Sequence, residues 1–197
     1  MIKNNINVDV LFVSYGGSHV LMLKEIYSNL LETGKSSKFL ALTSSSLTLR
    51  EANLPYDRLE TIPFDKKNLD LIFKNFNLDK KNDRYTALSL RELLDSVDLQ
   101  EAKKLYEKYG RSIFCQKKLA LKILNYYNPK VLVTSNLIRL PRALYLACSE
   151  KNIKSIFIED MFMEASHKFL KSSKSLKDIA CPDISLDFII AFHQNAI

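Results

Sequence analysis

The sequence predicts an α/β chain with a doubly wound parallel sheet and a helical insertion in its middle, and three observations carry that expectation. Short apolar, β-branched runs without polar alternation recur at residues 8–14, 130–135 and 155–160, the profile of strands covered on both faces. Segments of helical apolar spacing follow the first two of these runs. Between them, residues 65–127 are charged, helical in period and almost free of Gly and Pro.

The first strand runs through Val8-Asp9-Val10-Leu11-Phe12-Val13-Ser14 and ends at Tyr15-Gly16-Gly17-Ser18. Val20, Leu23, Ile26, Tyr27, Leu30 and Leu31 recur at helical spacing behind it; Ser18 is placed to cap this helix and Gly34 to stop it. A second apolar run over residues 38–43 completes a βαβ unit, whose crossover is right-handed on steric grounds. Residues 59–62 are expected as a short third strand ending at Pro63. Three or four helices are expected over residues 65–127, on stripes that include Leu69, Ile72, Phe73 and Phe76, then Leu88, Leu90, Leu93 and Leu94, some on the sheet and some projecting from it. Asn128-Pro129 breaks the last of them, and the strand over residues 130–135 leads to a helix at about 141–150 that Asn152 ends. Residues 155–160 and 186–192 read as the closing strands.

A chain of 197 residues can bury a full core and is read as one Rossmann-like domain, residues 1–197. With 47% hydrophobic and 26% charged residues it matches globular usage, not disorder. The net charge of +7 would suit an anionic partner. However, the lysine pairs at 66–67, 80–81, 103–104 and 117–118 are dispersed among acidic and apolar neighbours, so no nucleic-acid partner is expected. Cys115, Cys148 and Cys181 are too far apart for a zinc cluster or a redox pair, and are expected as reduced thiols. The apolar runs are too short to span a bilayer and no secretory signal opens the chain, so a cytoplasmic location is expected.

Open parallel sheets bind ligands beyond the carboxyl ends of their strands, which selects residues 14–19, 135–139 and 159–163. Gly16 and Gly17 let the backbone turn sharply, and the helix behind them offers unpaired N–H groups to an anion or a hydroxyl. They fit neither a dinucleotide fingerprint nor a triphosphate loop, and serving the turn alone is the competing reading. His19 sits where an imidazole can act as a general base, histidine being the side chain that titrates near neutral pH, or it simply packs. Ser135 and Asn136 close the second turn, where the planar fork of Arg139, and of its neighbour Arg142, suits a phosphate or carboxylate. Glu159 and Asp160 end a buried strand and must meet water or donors there. His167 and His193 are expected to be structural or superficial, and neither a metal site nor a cofactor is expected.

Three segments together resemble the N-terminal domain of glycosyltransferases of the GT-B fold: the strand leading to Tyr15-Gly16-Gly17-Ser18-His19, the stretch from Asn128 to Asn136, and the stretch from Ile153 to Asp160. The resemblance implies an acceptor-side domain in which His19 deprotonates or orients a hydroxyl, Gly16, Gly17 and Ser18 admit it, and Arg139 holds an anionic group. Ser135, Asn136, Glu159 and Asp160 would line the same cleft. It also implies a nucleotide-sugar donor held by a second domain, missing here, or by a partner subunit, without which the chain would not turn over. Ile156-Phe157-Ile158-Glu159 is similar to part of the membrane-recruiting subunit of split transferases. An acceptor that is a hydroxyl or lipid-linked compound, a role in surface polysaccharide or glycolipid synthesis, and peripheral contact with the inner membrane face follow as expectations. The pattern departs from the family at Lys130, which stands where an aspartate follows the proline. Non-hydrolysing UDP-sugar 2-epimerases are the second resemblance, although Ser135-Asn136 replaces their Gly-Asp. A non-catalytic α/β binding module is the alternative of a different class.

Overall fold

The computed structural model describes residues 6–64, 68–81, 83–160 and 188–192. Five parallel strands, β1 (Val10–Ser14), β2 (Ser37–Ala41), β3 (Val131–Thr134), β4 (Lys154–Asp160) and β5 (Phe188–Phe192), form one sheet in the order β2-β1-β3-β4-β5. The helices are α1 (Ser18–Glu32), α2 (Ser45–Glu51), α3 (Leu69–Asn75), α4 (Arg84–Leu93), α5 (Leu99–Tyr109), α6 (Lys117–Tyr127) and α7 (Arg139–Lys151). The chain steps from β1 outward to β2 and then returns across β1 to β3. Right-handed connections therefore put the intervening helices on opposite faces, and the Rossmann-like, doubly wound architecture follows.

The packing bears out that division. On one face Val20, Leu23 and Tyr27 of α1 bury against Phe12, Phe39, Val133 and Ile158 of the sheet. Phe12 stacks on Phe39 at 5.8 Å between centroids, and the edge of Tyr27 meets Phe39 at 5.5 Å. On the other face Leu119, Ile123 and Leu124 of α6 and Leu140, Ala143 and Leu144 of α7 cover Leu11, Val13 and Leu132. Residues of α3, α4 and α5, among them Ile72, Phe73, Leu88, Leu90 and Leu105, share that second cluster. Among the described residues of the stretch where three or four helices were expected, there are four.

Helix ends follow local chemistry. Asp98 caps α5 by accepting the Glu101 N–H at 2.9 Å, and Asn128 and Asn152 end α6 and α7 in the left-handed conformation, which asparagine tolerates. Gly34, at φ 73°, turns the chain after α1. At the amino edge of the sheet Asp9 accepts from Lys130 Nζ at 2.7 Å and from the Ser36 N–H at 3.1 Å. The Lys130 ammonium and that N–H hold its carboxyl below the ordinary value. Lys130 therefore ties strand ends together on the side away from the strands' carboxyl termini.

The structure departs from the expectations at four points. Residues 59–61 form a 3-10 turn instead of a strand, because Leu59 and Ile62 are buried one turn apart and Ile62 N–H bonds back to Leu59. The edge of β2 is met instead at Asp57, which exchanges backbone bonds of 2.8 Å with Phe39 and Ala41. Helix α2 was not anticipated, since its serine-rich start reads as loop and it buries a single apolar residue, Leu49. Ser18 is the first residue of α1 and not its cap; Gly17 occupies that position and no side chain caps the helix. Cys148 is buried and in no disulfide, whereas Cys115 is disulfide-bonded and departs from the expectation of reduced cysteines. His167, His193 and Cys181 lie outside the described residues.

Buried phenols make the fold sensitive to alkali. Burial raises the titration of Tyr27 to about 12 and that of Tyr15, Tyr85, Tyr127 and Tyr145 upward as well. The folded chain keeps protons that the unfolded chain releases, so this stability is whole below pH ~10 and lost as pH rises beyond it. The expected result is a melting temperature that falls above pH ~10, with phenolate absorbance growing together with the loss of circular dichroism. Ionisation of all nine tyrosines in a chain that keeps its dichroism would contradict it.

Candidate functional site

The chain reverses its direction across the sheet between β1 and β3, and the loops leaving their carboxyl ends diverge to opposite faces. That divergence is where open α/β sheets usually form their ligand crevice. Residues 15–19 form one wall of it and residues 135–139 the other. The two walls touch where Ser135 Oγ donates to the His19 carbonyl at 3.2 Å.

The glycine loop is held from below by the loop after β2. Ser45 N–H and the hydroxyls of Thr43 and Ser44 all donate to the Tyr15 carbonyl, while Ser45 Oγ donates to the Ser14 carbonyl at 2.8 Å. These bonds draw Gly16 against Ser44, so close that a Cβ on Gly16 would lie 2.2 Å from Ser44 Oγ and 3.0 Å from Ser45 N. Gly16 adopts φ 131° and Gly17 φ 68°, values that an L-residue reaches only with strain. With Gly17 at the cap, no side chain satisfies the first amides of α1.

His19 lies on the first turn of α1, and its Nδ1 is enclosed without a hydrogen-bond partner among the described residues; Asn136 Oδ1 on the opposite wall is in the same condition. Enclosed polar atoms are nearly always paired in folded proteins; with Ser14 Oγ at the end of β1, these two put three unpartnered atoms at the carboxyl ends of β1 and β3. Arg139, half-buried at the start of α7, lays its guanidinium over the Tyr15 ring, 5.8 Å from the centroid. Its backbone sits at φ 54°, a conformation that costs a non-glycine residue about 1 kcal/mol.

Beneath these groups runs a hydrogen-bonded chain that sequence reasoning did not foresee. Tyr15 OH accepts the Leu140 N–H at 3.2 Å, the first-turn amide of α7, and shares a 2.7 Å bond with Tyr85 OH of α4. Gln116 Nε2 in turn donates to Tyr85 OH at 2.7 Å and to Ser89 Oγ at 2.6 Å. Burial and the neighbouring Tyr85 push the Tyr15 phenol well above its ordinary value, so it stays protonated and fixed. The polar Ser89 and Gln116 at apolar positions were the available signal, but only the fold brings residues 70 and more apart onto one phenol. Tyr15→Phe is expected to cost about 1–3 kcal/mol, because it strands the Leu140 amide and leaves the Tyr85 hydroxyl with Gln116 alone. Urea unfolding measures this. A double-mutant cycle with Tyr85→Phe should give less than the sum of the single losses, and strict additivity would argue against the chain.

Of the predicted residues, Gly16, Gly17, Ser18, His19, Ser135, Asn136 and Arg139 meet around this crevice. Glu159 and Asp160 end the next strand, β4, paired in register with Ala191 and Phe192 of β5. Residues 161–163 lie outside the described residues. Among the described residues no three of His, Cys, Asp and Glu gather as metal ligands, and no helix is long and apolar enough to cross a membrane. Chemically, the crevice combines an imidazole, a guanidinium oriented by an aromatic face, and backbone amides at a helix start.

No family model and no curated protein matches the chain. Among solved structures it is similar to the crystal structure of MurG from Acinetobacter baumannii, with 12% identity and a TM-score of 0.48 over 97% of this chain. The aligned part is 42% of that structure, so the chain spans less than half its length.

Proposed function

We propose that the chain is the acceptor-side domain of a nucleotide-sugar-dependent glycosyltransferase, acting in surface polysaccharide or glycolipid synthesis. The observation that carries this reading is the crevice between β1 and β3, where His19 and Asn136 present enclosed, unpartnered polar atoms on facing loops. Attack of a hydroxyl on a sugar needs a proton acceptor within hydrogen-bond reach of that hydroxyl. His19 is the group at the crevice suited to take that proton. In this reading the amides at the start of α1 receive the acceptor beside Gly16 and Gly17, and Arg139 holds an anionic substituent on it. The donor would be bound by a second domain or a partner subunit and would approach over the carboxyl edge of the sheet. The acceptor is a hydroxyl compound or a lipid-linked one, the latter placing the protein against the inner membrane face.

The test uses the product of the complete coding sequence, together with any small donor-binding protein encoded beside it, incubated with a panel of nucleotide sugars and membrane extract. Release of nucleoside diphosphate that depends on acceptor supports the reading. Release of free sugar isomers without acceptor would replace it by an epimerase, and no turnover with any donor would leave the binding module.

A further inference from the structure

A second cleft lies outside the crevice, between the 3-10 turn at residues 59–61 and the start of α4, with a volume of about 580 Å3. Four cationic side chains, Arg58, Lys80, Lys81 and Arg84, line it against one carboxylate, Glu60. Two of the four are compensated: Arg58 pairs with Glu60 at 3.6 Å and Lys80 with Asp70 at 2.6 Å. Among the described residues Lys81 and Arg84 have no ion-pair partner, and Arg84 Nε is enclosed without a hydrogen bond. The Asp83 side chain does not cap α4, because its two oxygens accept from Asp79 N–H and from Arg111.

An enclosed guanidinium N–H is a strong donor that folding seldom leaves idle, and the group it matches best is a planar or tetrahedral oxyanion. A carboxylate side chain would serve equally, yet the acidic groups at the cleft are already engaged. We propose that this cleft is a binding site for a phosphate or pyrophosphate group, held by Lys81 and Arg84 with Arg58 and Lys80 at its rim. The site is independent of the transfer reading and shares none of its residues.

The same phosphate chemistry reaches a protein on a soluble molecule or on a lipid headgroup, so the experiment has two arms. Titration calorimetry of the 197-residue chain with inorganic pyrophosphate at low ionic strength reads the first. Flotation with phosphatidylcholine vesicles, with and without phosphatidic acid, reads the second. Saturable binding in either arm is expected, weakened about tenfold by Lys81→Glu and by Arg84→Gln, the ratio that one lost charge-assisted hydrogen bond gives. Lys104→Glu, an equal change of net charge on exposed α5, is expected to leave binding unchanged, as is His19→Ala. Binding in neither arm overturns the proposal, and so does a loss that Lys104→Glu reproduces. Because Lys81 is exposed, Lys81→Glu decides the matter even if Arg84→Gln unfolds.

Discussion

His19→Ala is expected to leave the domain folded and to lower sugar transfer by the complete enzyme by about 10²–10⁴-fold, the span that a positioned general base contributes. The fall should appear in kcat, since the acceptor would still be held by the helix amides and Arg139 while its hydroxyl kept its proton. Folding should change little, because the imidazole Nδ1 is enclosed without a hydrogen-bond partner among the described residues; removing it takes away an unsatisfied atom together with some packing. The bond across the crevice uses the His19 backbone carbonyl and survives the substitution. Equal turnover by wild type and variant would remove His19 from the mechanism, and a KM effect alone would make it a binding group.

The second large effect is expected at the glycine pair, and it separates two physical causes. Both residues adopt positive φ, at 131° and 68°. A Cβ on Gly17 would meet nothing within 4 Å, whereas one on Gly16 would strike Ser44 Oγ and press on the Ser45 amide. Gly16→Ala should therefore cost about 2–5 kcal/mol, the sum of backbone strain and overpacking, and Gly17→Ala only the strain, about 1–3 kcal/mol. Urea unfolding of the two variants measures the difference. Equal losses would mean that Ser44 gives way without cost, so that the loop after β2 does not brace the glycine loop. Adding Ser44→Ala to Gly16→Ala should recover part of the loss, since the hydroxyl is the nearest obstacle.

The alkaline transition and the Tyr15→Phe loss test the same scaffold from below. They bear on whether the crevice is rigid, because Tyr15 connects the glycine loop, α4 and α7 through one buried phenol. A site whose walls come from three elements needs such a tie if its imidazole and guanidinium are to keep their places.

What could be read from the residues alone was whatever depends on near neighbours. Unbroken apolar runs specified β1, β3 and β4, because a strand covered on both faces has no polar face to alternate with. Helical spacing specified α1, and Gly34, Asn128 and Asn152 marked helix ends, because few residues tolerate left-handed backbone. Strand ends followed by turns also drew His19, Ser135, Asn136 and Arg139 out of the chain. The failures were short and local in appearance: Leu59 and Ile62 suit a strand or a single turn equally, and the serines before Leu49 suit a loop or a helix start. Tertiary structure decided the rest. Only the strand order made the gap between β1 and β3 the crevice, because sequence order cannot say which neighbour a buried strand takes. Only the packing of α4 and α6 beneath it brought Tyr85 and Gln116 to Tyr15, and placed Arg58 opposite Arg84. Such contacts join residues with no local relation, and their geometry is set by the burial of whole faces, which no stretch of sequence specifies by itself.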